Sequence, residues 1–502
     1  MPPAAANNDA KRSGLAYWAA RVLEECDKAA SGFDADPVHD LRVAIRRCRS
    51  MADGFRSVDP DPAWKQMKRL AKPLFRSLGE LRDTQVMAEW LTKLAPHGDP
   101  VGQDLSSALL TKEHHLKSAA KDALASFDRK RWAALNEHLA TRTASVPLEG
   151  RVFQELALER WLEARELHRR ALRNRSGVAW HQLRIGIKRF RYTVENFLPQ
   201  RHEKWSKDLR ELQDALGEVH DFDVLRAMIN SHEGIGREER LLWQKRIAEE
   251  RQQRLALYRS KMVGRGSLWE RWRAELPQGA ALQAAAMAKL RTWAAMLDPD
   301  RRHSERVAQL ALALYDGLSQ CGILSAVPKD RRILQAAALL HEVGRGRLAH
   351  RDSQGHQKRG QRMVAKLKAP LGWCLEDMRC VAALVRFHRG RLPLRSNPCF
   401  AGLDRKRRAG VMRLMGILRL ANAFDETHAG KARDLSVTLQ KGALIVRCYG
   451  LAAMSREAER AARARYLLEM VFRRPIGIHF PRARSAGGVQ AARLQRRAAP
   501  LP

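Results

Sequence analysis

The segment Val38-His39-Asp40-Leu41-Arg42-Val43-Ala44-Ile45-Arg46-Arg47-Cys48-Arg49 returns later in the chain as Trp180-His181-Gln182-Leu183-Arg184-Ile185-Gly186-Ile187-Lys188-Arg189-Phe190-Arg191. At 3.6 residues per turn, His39, Arg42, Arg46 and Arg49 share one helical stripe while Leu41, Ile45 and Cys48 share another. The second copy sets His181, Arg184, Lys188 and Arg191 against Leu183, Ile187 and Phe190. Each copy therefore predicts a helix with one apolar and one cationic face. Solvated helical faces ordinarily interleave acids with bases, because like charges at i,i+4 cost roughly 0.2–0.5 kcal/mol per pair. Neither stripe holds a carboxylate. A repeated, uncompensated pattern of this kind points to a polyanion that offsets the repulsion.

A second repeat follows in the same order: Leu78-Gly79-Glu80-Leu81-Arg82-Asp83-Thr84-Gln85-Val86 and Leu216-Gly217-Glu218-Val219-His220-Asp221-Phe222-Asp223-Val224. His181 lies 142 residues after His39 and Leu216 lies 138 after Leu78, so the two matches imply one duplicated helical unit. Apolar residues at helical spacing run from Leu15 to Trp272 without strand signals, broken at Asp59-Pro60-Asp61-Pro62, at 96–100 and at Ser145-Val146-Pro147. The halves are read as 14–145 and 151–275, with Asp83 and Asp221 as orienting partners of basic side chains.

The 502 residues carry 92 Lys and Arg against 55 Asp and Glu, a net charge of +37 that draws anions: nucleic acid, anionic membrane or a phosphate polymer. The seven cysteines form no CxxC pair, which argues for a reducing compartment and against a disulfide framework or zinc ribbon. Met1 to Lys11 lacks an apolar core, and no uncharged apolar run reaches the ~18 residues of a membrane span. A cytoplasmic protein with no membrane span is expected.

The His-x-x-Arg-x-x-x-Arg/Lys-Arg-x-Arg helices and the Leu-Gly-Glu-x-x-Asp-x-x-Val segments resemble the CHAD domains (conserved-histidine alpha-helical domains) over about 14–275. The resemblance implies two four-helix bundles whose basic helices line a shared surface that binds inorganic polyphosphate without a cofactor. The ligands it implies are His39, Arg42, Arg46, Arg47, Arg49, His181, Arg184, Lys188, Arg189 and Arg191. The chemistry agrees, since a phosphate polymer needs dense guanidinium and ammonium groups, whereas single-strand nucleic-acid readers interleave aromatics, which are only 6% here. The runs Lys65-Lys68-Arg69-Lys72 and Arg165-Arg169-Arg170-Arg173 are candidates to widen the surface.

Past a linker read at 276–287, a new pattern begins: Arg302-His303, an apolar helix ending in His341-Glu342-Val343-Gly344, then His356, Arg386-Phe387-His388-Arg389, and Leu418-Arg419-Leu420-Ala421-Asn422-Ala423-Phe424-Asp425. These are ligand types that hold a divalent metal in a phosphohydrolase. Over about 285–480 the chain resembles the HD-type helical domain, and more closely the carboxy-terminal region of the exopolyphosphatase and guanosine pentaphosphate phosphohydrolase family. Where HD hydrolases carry Asp, position 342 is Glu, a carboxylate displaced by roughly 1.5 Å. The metal ligands implied are His303, His341, Glu342 and Asp425 for Mg²⁺ or Mn²⁺, with His356 and His388 as second-metal ligands or phosphate contacts. The family's actin-like catalytic domain has no counterpart in this sequence.

A β-hairpin around Gln440-Lys441-Gly442, a helix near 454–472 and a short strand near Gly477–Phe480 complete a small α/β part at 431–481. Residues 1–13 and the Arg/Ala/Gly-rich 482–502 are read as disordered. The expected whole is a mainly α protein: a duplicated four-helix-bundle domain, an HD-like helical domain at 288–430, and the α/β end. Its expected function is binding of inorganic polyphosphate, including polyphosphate granules, with a degenerate HD-like phosphate-ligand domain. The alternatives are an HD-type phosphohydrolase acting on polyphosphate or a nucleotide, and a general nucleic-acid binder.

Overall fold

The computed structural model describes residues 14–346, 355–394 and 396–481. The expectations for 1–13 and 482–502 fall outside these residues. The fold is mainly α, with one small sheet near the carboxy terminus. The chain forms two compact units, 1–285 and 286–502. The division falls inside the helix Gly279–Leu297, so the interval 276–287 read as a linker is helical from Gly279 onward. Among the described residues no helix is long and apolar enough to cross a membrane.

In the amino-terminal unit the two copies of the basic motif occupy helices of equal length, Ala35–Phe55 and Gly177–Phe197, each of 21 residues with its histidine in fifth place. Their apolar stripes are fully buried: Leu41, Ile45 and Cys48 in the first, Leu183, Ile187 and Phe190 in the second. Each is preceded by a helical partner (Leu15–Ala29 and Arg151–Asn174) and followed by a long helix bearing the second motif (Lys72–Leu94 and Pro199–Ser231). Side chains cap the helix starts where the sequence supplies them: Ser176 accepts from the Ala179 amide at 3.2 Å and Asp99 from the Gly102 amide at 2.7 Å. The proline-rich break at 59–62 is anchored by its buried residue Asp59, which accepts from Trp64 Nε1 at 2.7 Å and from Arg142 at 2.6 Å.

The halves are not separate bundles. Met87, Leu91, Val101 and Leu105 of the first share one core with Phe222, Leu225, Ile229 and Trp243 of the second. The basic helices also meet, closely enough that a Cβ on Gly54 would lie 2.3 Å from the Phe197 ring.

The carboxy-terminal unit packs the helices Arg301–Gln320, Pro328–Leu340, Leu375–Phe387 and Arg405–Ala423 around one apolar core. The expected hairpin is present as β1 (Asp434–Gln440) and β2 (Ala443–Tyr449), antiparallel, with Gln440 opposite Ala443. Lys441 and Gly442 both have positive φ (46° and 82°), the geometry of the tight two-residue turn that suits right-twisted strands. The last strand, β3 (Ile476–His479), pairs parallel with β2. The helix expected near 454–472 is divided at Arg465 into Arg456–Ala464 and Tyr466–Phe472.

Candidate functional site

The cationic residues of the two basic helices separate into three groups. Arg42, Arg46, Arg184 and Lys188 are close enough to act on one another electrostatically. Burial, followed by the charges of Arg184, Arg46 and Arg42, pushes the Lys188 ammonium down to about 7, with Asp221 pulling the other way. Arg184 Nε is buried and finds no hydrogen-bond partner among the described residues.

The second repeat motif supplies the partners, symmetrically between the halves. Asp83 acts on Arg42 and Asp221 on Arg184, each within its own half. Burial pushes the Asp221 carboxyl up to about 6, Asp83 adding to the effect against the pull of Arg184. His39 keeps an exposed edge, and partial desolvation of its ring together with Arg46 and Arg82 lowers its pKa. At the corresponding place His181 Nδ1 lies 3.2 Å from His220 Nδ1, and burial with Arg184 takes His220 down to about 4.

A second group faces a cleft of about 470 Å³, lined by Arg46, Arg49 and Arg189 together with Lys68 and Arg160, against the single carboxylate of Asp53. Lys68 was among the candidates for widening the surface, whereas Arg160, on the helix before the second motif, carried no sequence signal because the repeat does not extend to it. The aromatic rings of this cleft are covered. Arg42 and Arg49 lie over Phe75, 5.1 and 5.0 Å from its centroid, and Arg46 lies 5.3 Å from that of Tyr192.

Arg47 and Arg191 form the third group and are engaged by protein. Arg47 pairs with Glu195 and donates to Asn196 Oδ1 at 3.1 Å, while Arg191 Nε lies 3.8 Å from Glu195. Arg47 thereby ties the first basic helix to the second, which spacing on one helix does not reveal, whereas Arg191 meets Glu195 one turn along its own helix.

In the carboxy-terminal unit five segments bring their histidines and acids to one buried point. His341 Nδ1 donates to the Ala338 carbonyl at 2.6 Å and His388 Nδ1 to the Val385 carbonyl at 2.8 Å. His303 Nδ1 donates to Asp425 Oδ2 at 2.8 Å. All three rings are thus anchored through Nδ1, leaving Nε2 for the centre, the arrangement that outer partners give metal-ligating imidazoles. His303 Nε2 and His341 Nε2 are 3.2 Å apart, and the Asn422 amide is 3.1 Å from both. Glu342 Oε1 lies 3.7 Å from His341, 3.4 Å from His356 and 3.6 Å from His388.

Two triads therefore have ligand atoms within 4.8 Å of one another, His303-His341-Glu342 and Glu342-His356-His388, sharing Glu342. Burial takes the His341 imidazolium down to about 3, so the ring is neutral with its Nε2 lone pair turned inward. Burial alone would raise Glu342, but hydrogen bonds and charge from His356, His388 and His341 hold it well below the usual carboxylate range. The longer Glu side chain reaches the histidines, with Arg345 pairing to its other oxygen.

Asp425 differs from expectation. Its carboxylate is taken up by His303 Nδ1 and by the Gly430 amide at 2.8 Å, and it lies outside the two triads. Asn422, three residues earlier on the same helical face, was the overlooked neighbour. His428, stacked on His303 at 3.7 Å and held by Asp300 at 2.6 Å, sits in a turn where no periodicity could flag it.

The two units together define a protein that gathers uncompensated cations in one helical unit and metal-competent His/Glu triads in the other. Comparison with known families finds a match for each: residues 15–230 match the CHAD domain and residues 287–447 match Ppx/GppA phosphatase, domain III. The CHAD match ends at 230, before the last helices of its compact unit. Comparison with curated proteins gives no match to the chain. The two domains support a polyphosphate-related function.

Proposed function

We propose that the chain binds inorganic polyphosphate along the surface of its two basic helices. The observation that carries this reading is the crowding of Arg42, Arg46 and Arg184 about Lys188, with Asp83 and Asp221 as the acids that act on the cluster. A flexible chain of phosphates supplies the missing charge without requiring base recognition. The rings of Phe75 and Tyr192 lie under guanidiniums, which favours a phosphate polymer over single-stranded nucleic acid, whose bases need open aromatic faces. The test is retention of long-chain polyphosphate by the full chain against duplex DNA and RNA across a salt series. Replacing Arg42, Arg46, Arg184 and Lys188 together by Gln abolishes retention and preserves helicity; retention unchanged by that variant refutes the reading.

The His/Glu triads favour a second reading, a metal-dependent phosphohydrolase in the carboxy-terminal unit. Four imidazoles and one carboxylate suit Mn²⁺ or Zn²⁺ better than Mg²⁺, which prefers oxygen ligands and keeps its waters. A bound ion would supply Lewis-acid charge to a phosphoryl oxygen. His303, His341, Glu342, His356 and His388 would hold it, and Asp425 would fix the His303 ring. Phosphate release from polyphosphate or a nucleotide with Mn²⁺, lost in His341→Ala, is the expected result; release indifferent to His341 excludes the assignment.

A further inference from the structure

We propose that an arginine-lined pocket in the carboxy-terminal unit binds the terminal pyrophosphate group of a phosphate polymer against the His/Glu centre. The proposal rests on the reading of that centre as one that holds a metal ion. The pocket, about 270 Å³, lies between the end of helix Leu375–Phe387 and the helices Arg405–Ala423 and Arg456–Ala464. Arg389, Arg419, Arg460 and Arg463 line it together with one acid, Glu426.

Arg419 is fixed in plane. Its Nε donates to the Phe387 carbonyl at 2.8 Å and its Nη2 to those of Gly390 and Arg391 at 2.8 and 3.2 Å, with Nη1 outside this set. Arg460 is steered by Glu426 at 3.2 Å, while Arg463 at the rim is mostly exposed and pairs with Glu459 at 2.5 Å. A fork of guanidiniums held before the ligand arrives is the geometry that grips phosphate oxygens bidentately.

The floor belongs to the centre. His388, 1% exposed, lines the pocket, and its Nε2 lies 3.6 Å from Glu342 Oε1 of the centre. Asn422, also in the wall, is 3.1 Å from both His303 Nε2 and His341 Nε2. An anion seated among the arginines therefore adjoins the inward imidazoles.

Size and lining select the ligand. The volume is below the ~300–1,000 Å³ of pockets that enclose drug-sized molecules. No Phe, Tyr or Trp side chain lines it, and its one imidazole, His388, belongs to the centre below. Four guanidiniums against Glu426 and, at the rim, Glu459 leave a positive surplus that suits two successive phosphates, the last carrying an extra negative charge. A polymer end supplies that charge without a base.

Arginine modification by phenylglyoxal, read peptide by peptide by mass spectrometry on the full chain, tests the pocket. Inorganic pyrophosphate is expected to slow modification of Arg389, Arg460 and Arg463 several-fold, with ADP no better. The Arg389→Gln and Arg463→Gln chains, whose thermal unfolding should match wild type, are each expected to lose the protection of Arg460. Unprotected Arg389, Arg460 and Arg463 at saturating pyrophosphate overturn the proposal, as does protection by ADP at much lower concentration. Mn²⁺ uptake by the wild-type chain, read by electron paramagnetic resonance, separates the two readings. Protection without bound Mn²⁺ rejects the metal centre and keeps the pocket, and bound Mn²⁺ without protection does the reverse.

Discussion

Arg47 Nη1 donates to Asn196 Oδ1 at 3.1 Å, joining the first basic helix to the second across the internal repeat. The same guanidinium pairs with Glu195, a nearly buried carboxylate that Arg191 and His202 approach only at 3.8 and 3.7 Å. Removing Arg47 leaves Glu195 short of its main partner. Arg47→Ala should therefore destabilise the chain by about 2 kcal/mol, as for a lost hydrogen bond to a charged group. Urea unfolding of Arg47→Ala, Glu195→Ala and the double variant checks this through the coupling between the two positions.

Close helix crossing sets a second expectation. A Cβ at Gly54 would sit 2.3 Å from Phe197 Cε2, and that ring is already stacked on Phe153 at 4.2 Å and edge-on to Phe55 at 5.3 Å. The ring cannot retreat without disturbing two neighbours. Gly54→Ala should cost about 1–3 kcal/mol of stability by overpacking. Because the cleft that Arg46 and Arg189 share spans the same crossing, the variant should also weaken polyphosphate binding, measured by titration at fixed salt.

Lys188 makes the amino-terminal unit pH-dependent with a definite sign. Burial and three neighbouring arginines bring its folded-state pKa down to about 7, whereas the unfolded chain titrates near 10.4. Between these values the unfolded chain binds more protons, so this contribution to stability rises as pH rises from about 7 and is lost as pH falls through it. Polyphosphate reverses the preference, because a nearby anion favours the ammonium form, so binding takes up a proton above pH 7. Affinity should fall as pH is raised above about 7 in the wild type and fall less in Lys188→Gln, which calorimetry in buffers of different ionisation enthalpy will show.

What the sequence disclosed followed from repetition and period. Duplication made the basic helices visible twice, and their apolar faces obeyed the helical period, so Leu41 and Leu183 are buried as expected. The pairing of His181 with His220 stayed hidden because the corresponding residue of the first half is Arg82, and unlike residues do not register as a repeat. The helix at 279–297 carried a signal in its alanines, the strongest helix formers, but its position between two patterns read as a linker. The arginine pocket draws on residues 389, 419 and 460, and nothing local foretells that three such segments converge.

Asp425 and Glu342 are both acids at the carboxy-terminal centre, yet they should fail differently when neutralised. Glu342 stands among three imidazole nitrogens at 3.4–3.7 Å and is common to both triads, so Glu342→Gln removes the charged ligand itself. Asp425 touches no metal-facing atom; it accepts from His303 Nδ1 and from the Gly430 amide. Asp425→Asn keeps the shape but weakens the hold on the His303 ring, a change of the kind that costs roughly 10–100-fold in metal affinity. Mn²⁺ titration of the two variants is the measurement: Glu342→Gln should bind no ion in the accessible range, and Asp425→Asn should bind with full stoichiometry at reduced affinity. Equal loss in both would place the Asp425 carboxylate among the ligands, against the geometry of its hydrogen bonds.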